Sequence, residues 1–154
     1  MTQDRFAQDL NSKVAIITGG ARGLGRAIAP SLADHGVTVI IADILTDMGE
    51  ETATSIRAAG GHARFAEVDV GEHDQIRSLV EKTLAQDGRL DIVVNNAVAS
   101  VRKGVVDLAE EEWDRSMDVS LKSVYLFGKY AFPAMMDIGG GTIVNISSVH
   151  GLAA

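Results

Sequence analysis

A glycine-rich segment near the start of the chain, residues 18–25 (TGGARGLG), directly follows an apolar run and opens a predicted helix. Gly19 permits a turn with positive φ, Gly23 lets the backbone approach a diphosphate, and Gly25 lets the helix pack closely on the strand. The free N–H groups at the start of the helix favour an anion. The segment therefore predicts a dinucleotide-binding loop, and a glycine-rich turn without a ligand is the alternative.

Asp43 ends the next apolar run, some twenty residues beyond the loop. A carboxylate at this place accepts hydrogen bonds from the ribose hydroxyls of an adenosine and repels a 2′-phosphate, which favours NAD over NADP. Arg22 in the loop points the other way, because its cation can meet that phosphate or simply lie in solvent. We give Asp43 the greater weight, since it would stand beside the hydroxyl itself.

These residues need a scaffold that brings the ends of several strands together. Short apolar runs rich in β-branched residues alternate with segments of helical period, which predicts βαβ units and a mostly parallel sheet covered by helices on both faces. The strands are predicted at 14–18, 37–42, 63–68, 90–94 and 142–146, and the helices at 23–35, 47–59, 72–86 and 110–136.

Local signals mark the ends of these helices. Gly36, Gly60 and Gly88 each follow a predicted helix, where a left-handed residue is favoured. Asp47 with Glu50 predicts a capping box at the second helix. Pro30 is expected to kink or locally break the first helix, because proline removes a hydrogen bond and costs on the order of 3 kcal/mol inside a helix.

Further motifs follow in order along the chain: Asp69-Val70, Asn95-Asn96-Ala97, Trp113-Asp114-Arg115 and the segment 141–151 (GTIVNISSVHG). Together with the Gly-x-x-x-Gly-x-Gly spacing of the loop, they resemble the classical short-chain dehydrogenase/reductase family from about residue 11 to the end. The resemblance implies a Rossmann-type, doubly wound α/β sheet of five parallel strands in the order 3-2-1-4-5, with the sequence ending before the last strands of the family. We expect one NAD-binding domain over residues 1–154.

The resemblance also assigns roles to individual residues. Ser148 matches the catalytic serine, with Ser147 as the second choice, and Ser120 stands where the family has an asparagine of the proton relay. Asp69 would meet the amino group of adenine. The expected cofactor-binding residues are Gly19, Arg22, Gly23, Leu24, Gly25, Asp43, Asp69, Val70, Asn96 and Ala97.

Two residues that differ from the family's pattern, and the absence of the family's tyrosine and lysine from these 154 residues, affect the expected chemistry. Val98 replaces a glycine that follows Asn-Asn-Ala in the family, and Ser120 is shorter than asparagine and lacks its amide. The family's general acid/base tyrosine and its lysine lie beyond the serine, whereas this sequence ends six residues after Ser148. We therefore expect these 154 residues by themselves to be inactive. His150 is a candidate for the substrate pocket or, more simply, a structural residue.

Composition narrows the class of protein. The net charge of −7, with 21 acidic and 14 basic side chains, argues against nucleic acid or a membrane as a partner. Since there is no cysteine, disulfides and zinc–thiolate sites are excluded, and we expect no metal. The N-terminal segment does not resemble a signal peptide, so we expect a soluble, cytoplasmic protein. Strand five would be an exposed edge, which favours a homo-oligomer.

The resemblance implies an NAD-dependent oxidoreductase that interconverts a secondary alcohol and a ketone, with this chain carrying the cofactor-binding half. Two alternatives stay open: a non-catalytic NAD-binding module and an inactive truncated product. An adenosylmethionine-dependent methyltransferase would share the glycine loop and Asp43 but gives no reason for Asn95-Asn96-Ala97 or the Ser148 segment. The sequence does not identify the substrate.

Overall fold

The computed structural model describes residues 10–148. The strands are β1 (Val14–Thr18), β2 (Thr38–Asp43), β3 (His62–Glu67), β4 (Ile92–Asn95) and β5 (Thr142–Asn145). The helices are α1 (Gly23–Ala33), α2 (Thr46–Ala58), α3 (His73–Asp87), α4 (Glu110–Met117) and α5 (Ser123–Asp137), and a π-helical turn, Asp118–Lys122, joins α4 to α5.

The five strands form one parallel sheet in the order β3-β2-β1-β4-β5, which confirms the predicted fold class. β1 and β4 are buried along their whole length, as expected for a parallel sheet with both faces covered. Two apolar clusters lie on opposite faces of the sheet. One contains side chains of α1 and α2, and the other contains side chains of α3 and α5.

The glycines that follow the helices adopt the conformation that was predicted. Gly36, Gly60 and Gly88 have φ values of 80°, 92° and 71°. This left-handed region favours glycine because a Cβ atom would clash there. The ends of the first three helices could therefore be read from the sequence.

Helix α1 continues through Pro30, so the predicted local break is wrong, whereas the alternative of a kink stays a prediction. The helix continues to Ala33, and the N–H of Asp34 donates to the carbonyl of Pro30 at 2.9 Å. Pro30 is exposed, which keeps its ring out of the packed face of the helix. The missing hydrogen bond therefore falls on the side that faces solvent.

Two other local predictions are also corrected. Helix α2 begins at Thr46, with Leu45 at the N-cap and no side-chain cap, so Asp47 and Glu50 do not form a capping box. The single helix predicted over 110–136 is interrupted by the π turn. Helix α4 buries no residue whereas α5 buries five, so the π turn joins a surface helix to a core helix.

Candidate functional site

A cleft of about 410 Å³ lies at the carboxyl ends of the strands, around the point where the chain crosses from one side of β1 to the other. Nine of the predicted cofactor-binding residues line it: Gly19, Arg22, Gly23, Leu24, Asp43, Asp69, Val70, Asn96 and Ala97. The cleft also has apolar lining that was not predicted, from Ala42, Ile44, Leu45, Val68, Val98, Ala99 and Val119. Gly25 is the one predicted residue of this set that does not line it.

The glycine loop has the backbone geometry that its sequence predicts. Gly19 and Gly23 have φ values of 65° and 56°, and a Cβ atom on Gly23 would meet nothing within 4 Å. A Cβ on Gly25 would lie 2.3 Å from the carbonyl oxygen of Gly19, so the start of α1 packs against the loop too closely for any side chain. Since α1 has no side-chain cap and no acidic residue in its first turn, its first N–H groups are free to meet an anion.

Asp43 is 9% exposed, and backbone donors hold its carboxylate in place. The N–H of Ala21 donates to Oδ2 at 3.0 Å, and the N–H of Leu45 donates to Oδ1 at 3.1 Å. Each oxygen keeps capacity for a further donor, as a ribose hydroxyl would be. The bond to Ala21 shows a second role that the sequence did not reveal: Asp43 fixes the glycine loop to the end of β2.

Asn96 binds the loop through its side-chain amide. Its Nδ2 donates to the carbonyls of Thr18 and Gly19 at 3.0 and 3.1 Å. The Thr18 hydroxyl accepts from the backbone N–H groups of Asn96 and Ala97, both at 3.0 Å, and donates to the carbonyl of Val94. Thr18 and Asn96 therefore lock the ends of β1 and β4 together, and sequence reasoning missed this role of Thr18.

Asp69 pairs across the cleft with Arg115 of α4. Nη2 of Arg115 donates to both carboxylate oxygens at 2.8 Å, and the N–H of Gly71 donates to Oδ1 at 2.8 Å. Arg115 itself lines the cleft. The sequence analysis quoted Arg115 only as part of a motif, because no local pattern shows that residues 46 positions apart will meet.

The two serines predicted to be catalytic lie outside the lining of this cleft. Ser120 is exposed in the π turn, and its hydroxyl is 3.4 Å from both the N–H and the carbonyl oxygen of Ala99. Ser148 is exposed and follows β5. The structure thus gathers the predicted cofactor-binding residues but does not bring the two serines into the same cleft. His150 lies outside the described residues.

Comparison with known proteins adds a second line of evidence. The family profile described as short chain dehydrogenase matches residues 13–154. A cyclopentanol dehydrogenase from Comamonas sp. (strain NCIMB 9872) is 38% identical over 143 residues, which are 93% of this chain and 57% of that enzyme. This chain belongs to the short-chain dehydrogenase family.

Solved structures of other short-chain dehydrogenases have the same fold. A 7α-hydroxysteroid dehydrogenase in complex with NADH and 7-oxo glycochenodeoxycholic acid matches with a TM-score of 0.89 and 29% identity, over 94% of this chain and 56% of that one. A metagenomic short-chain oxidoreductase in complex with NADP matches with a TM-score of 0.87 and 36% identity, over 90% and 63%. This short-chain dehydrogenase chain thus spans about three fifths of the relatives that it matches.

Val98 stands where the resemblance leads us to expect a glycine. Its side chain is 72% exposed and lines the cleft. Among the described residues, only Ser12 and several glycines have positive φ, so the backbone at Val98 does not itself require glycine. What the substitution changes in this short-chain dehydrogenase is the shape of the cleft wall.

Within residues 10–148, no helix is long and apolar enough to cross a membrane.

Proposed function

We propose that the cleft binds NAD, with the diphosphate at the start of α1 and the adenosine between Asp43 and Asp69. The observation that carries this proposal is the set of nine predicted residues around one cleft at the crossover of the sheet, next to an uncapped helix start. Dinucleotides bind at this place in open α/β sheets because the loops leave a crevice there.

We propose NAD rather than NADP as the cofactor. The Asp43 carboxylate is fixed by Ala21 and Leu45, so it cannot easily turn away from a 2′-phosphate, and its charge repels one. Arg22 lines the same cleft, is exposed, and makes no ion pair with another described residue. It is therefore the group that would favour NADP if the charge of Asp43 did not dominate.

We propose that the whole protein interconverts secondary alcohols and ketones. The bound nicotinamide supplies or accepts the hydride, and Ser148 would hold the oxygen of the substrate. The cyclopentanol dehydrogenase relative makes a cyclic secondary alcohol a reasonable first compound to test. Within the 154 residues, no side chain matches the family's general acid/base, which typically contributes ~100- to 10,000-fold. We propose that these residues alone bind cofactor without turnover.

A non-catalytic NAD-binding module is the second candidate. The exposed Val98 in the cleft wall and Ser120 in place of an asparagine favour it, because both alter positions that the family uses near the reacting groups. In either case we propose one NAD-binding unit over residues 1–154, a cytoplasmic location and self-association.

The cofactor proposal is tested by calorimetric titration of NAD and NADP into the wild type, Asp43→Asn and Asp43→Ser. Asp43→Asn removes the charge but keeps an amide oxygen as an acceptor for Ala21 or Leu45, whereas Asp43→Ser removes the charge and leaves only a shorter hydroxyl. We expect the wild type to prefer NAD and both variants to shift toward NADP. Asp47→Ser, which removes an exposed acid on α2 outside the cleft, should leave the preference unchanged. A wild type that prefers NADP would show that Arg22 dominates.

A further inference from the structure

Arg115 makes more contacts with the cleft than a surface ion pair requires. Its Nη2 donates to both oxygens of Asp69, and its guanidinium lies against the backbone at Gly71, where a Cβ would be 2.0 Å from Nη1. The segment that follows β3 is therefore fixed to α4 through one side chain. An exposed ion pair contributes little to stability, so this arrangement is better explained by what it orients.

The hydrogen bonds of Asp69 leave one oxygen underused. Oδ1 accepts from Arg115 and from the N–H of Gly71, whereas Oδ2 accepts only from Arg115. An ionised carboxylate has about four lone-pair sites. Oδ2 is therefore the oxygen with capacity for a donor on a ligand, and Arg115 fixes the direction in which that capacity points.

The surroundings of Asp69 indicate the shape of such a ligand. The cleft wall beside it is apolar, with Ile44, Leu45, Val68, Val70 and Val119. Such a slot favours a flat, weakly polar ring, and the Asp69 carboxylate at its edge favours a ring that carries an amino group. A ring with a carbonyl oxygen at that place would face the negative charge of Asp69 instead.

We propose that Arg115 is a positioning residue that holds Asp69 so that Oδ2 selects a base with an amino group at the adenosine end of the cleft. This inference rests on the proposed binding of NAD and adds a residue that determines base specificity. Arg115 does not touch the base in this proposal. It acts by keeping the Asp69 carboxylate, which is 28% exposed, in a single orientation.

The test compares two dinucleotides that differ at one group of the base. NAD and nicotinamide hypoxanthine dinucleotide, which replaces the amino group by a carbonyl, are titrated calorimetrically into the wild type, Arg115→Met and Asp69→Asn. We expect the wild type to prefer NAD by about 10- to 100-fold, the range for a hydrogen bond to a charged group. Both variants should lower this preference to roughly threefold or less, and the double variant should resemble Asp69→Asn.

A matched control separates orientation from charge. Arg77→Met removes another exposed arginine, paired with Asp74 on α3 away from the cleft, and should keep the full preference for NAD. Arg115→Lys keeps the charge but cannot hold Asp69 and Gly71 in the same way, so it should behave like Arg115→Met. Melting curves check that all variants are folded.

Several results would overturn the inference. Undiminished preference in Arg115→Met would show that Asp69 orients itself. An equal loss of affinity for both dinucleotides would show that Arg115 acts as a general attractive charge for phosphates. If the wild type binds neither dinucleotide, both the proposed function and this inference fail. If the wild type binds both dinucleotides equally, the role of Arg115 is refuted while the proposed function stands.

Discussion

The strand ends that form the cleft and the last part of the described chain are built differently. In the first region, residues 14–97, β1 and β4 are fully buried. Hydrogen bonds of Thr18, Asp43 and Asn96 join the ends of the strands in this region. In the second region, residues 110–148, α5 packs into the core, but α4 buries no residue and three of the four residues of β5 are exposed. The first region gathers the predicted cofactor-binding residues, and the second carries the two predicted catalytic serines.

This contrast suggests that binding and chemistry depend on different parts of the fold. The residues that line the cleft belong to the first region, except Val98, Ala99, Arg115 and Val119. Hydrogen bonds within the first region join the strand ends that form the cleft. Ser120 is exposed in the π turn, and Ser148 is exposed after β5. Substitutions confined to one region therefore test whether the two regions contribute separately to stability and to binding.

The largest effect is expected at Asp91, which anchors the first region at the opposite ends of its strands. Its side chain is 2% exposed and accepts hydrogen bonds from Arg89, Lys13 and the N–H of Val14. Asp91→Ala leaves these donors unpaired, and we expect the free energy of unfolding to fall by about 3 kcal/mol. Chemical denaturation with urea measures this change. A loss below about 1 kcal/mol would contradict an anchoring role.

The same residue predicts a pH dependence. Burial by itself would raise the pKa of Asp91, but hydrogen bonds from Arg89, Val14 and Lys13 outweigh it and hold the pKa below its ordinary value. The stabilisation is therefore fully present above the unfolded pKa of about 4 and is lost as the pH falls through the lower folded pKa. Urea denaturation of the wild type and Asp91→Ala at a series of pH values should give curves that converge under acidic conditions. A constant difference down to the lowest pH would count against this mechanism.

The second prediction uses a pair of glycines, one in each region. Gly25→Ala places a methyl group 2.3 Å from the carbonyl oxygen of Gly19, and we expect a loss of about 2 kcal/mol together with loss of NAD binding. Gly128→Ala on α5 meets nothing closer than 3.6 Å and should raise stability by up to about 1 kcal/mol, because alanine favours helix. Calorimetry and thermal melting measure both effects. Equal effects of the two substitutions would refute the distinction between the regions.

These examples also show what could be predicted from the sequence. The strands, the helices between them and the left-handed glycines follow from local patterns, because each depends on a few neighbouring residues. The strand order joins distant parts of the chain and was predicted from the family resemblance. The sequence analysis missed three sets of hydrogen bonds because they join residues far apart in the chain. They are the bonds of Arg115 to Asp69, of Ala21 to Asp43, and of Asn96 and Ala97 to the Thr18 hydroxyl. The predicted break at Pro30 was wrong because the sequence does not show that Pro30 lies on the exposed side of α1.

The smallest expected effect is at Pro30 itself. Pro30→Ala restores a hydrogen bond in α1 but also gives the unfolded chain more freedom, so we expect a net gain of about 1 to 2 kcal/mol. The melting temperature should rise by a few degrees, on the order of 2–4 °C per kcal/mol for a chain of this size. NAD affinity should not change, because Pro30 is not part of the cleft. An unchanged or lowered midpoint would show that the fold already accommodates the proline.

A single calorimetric experiment tests whether the cleft, lined by parts of residues 14–97 together with Val98, Ala99, Arg115 and Val119, binds NAD while the chemistry depends on other groups. NAD is titrated into the 154-residue polypeptide in the presence of secondary alcohols at alkaline pH, and the recovered solution is examined for the absorbance of NADH. We predict saturable heat of binding without NADH. The absence of saturable heat would contradict the binding claim. Accumulation of NADH that is lost in Ser148→Ala would contradict the claim that these residues alone lack turnover.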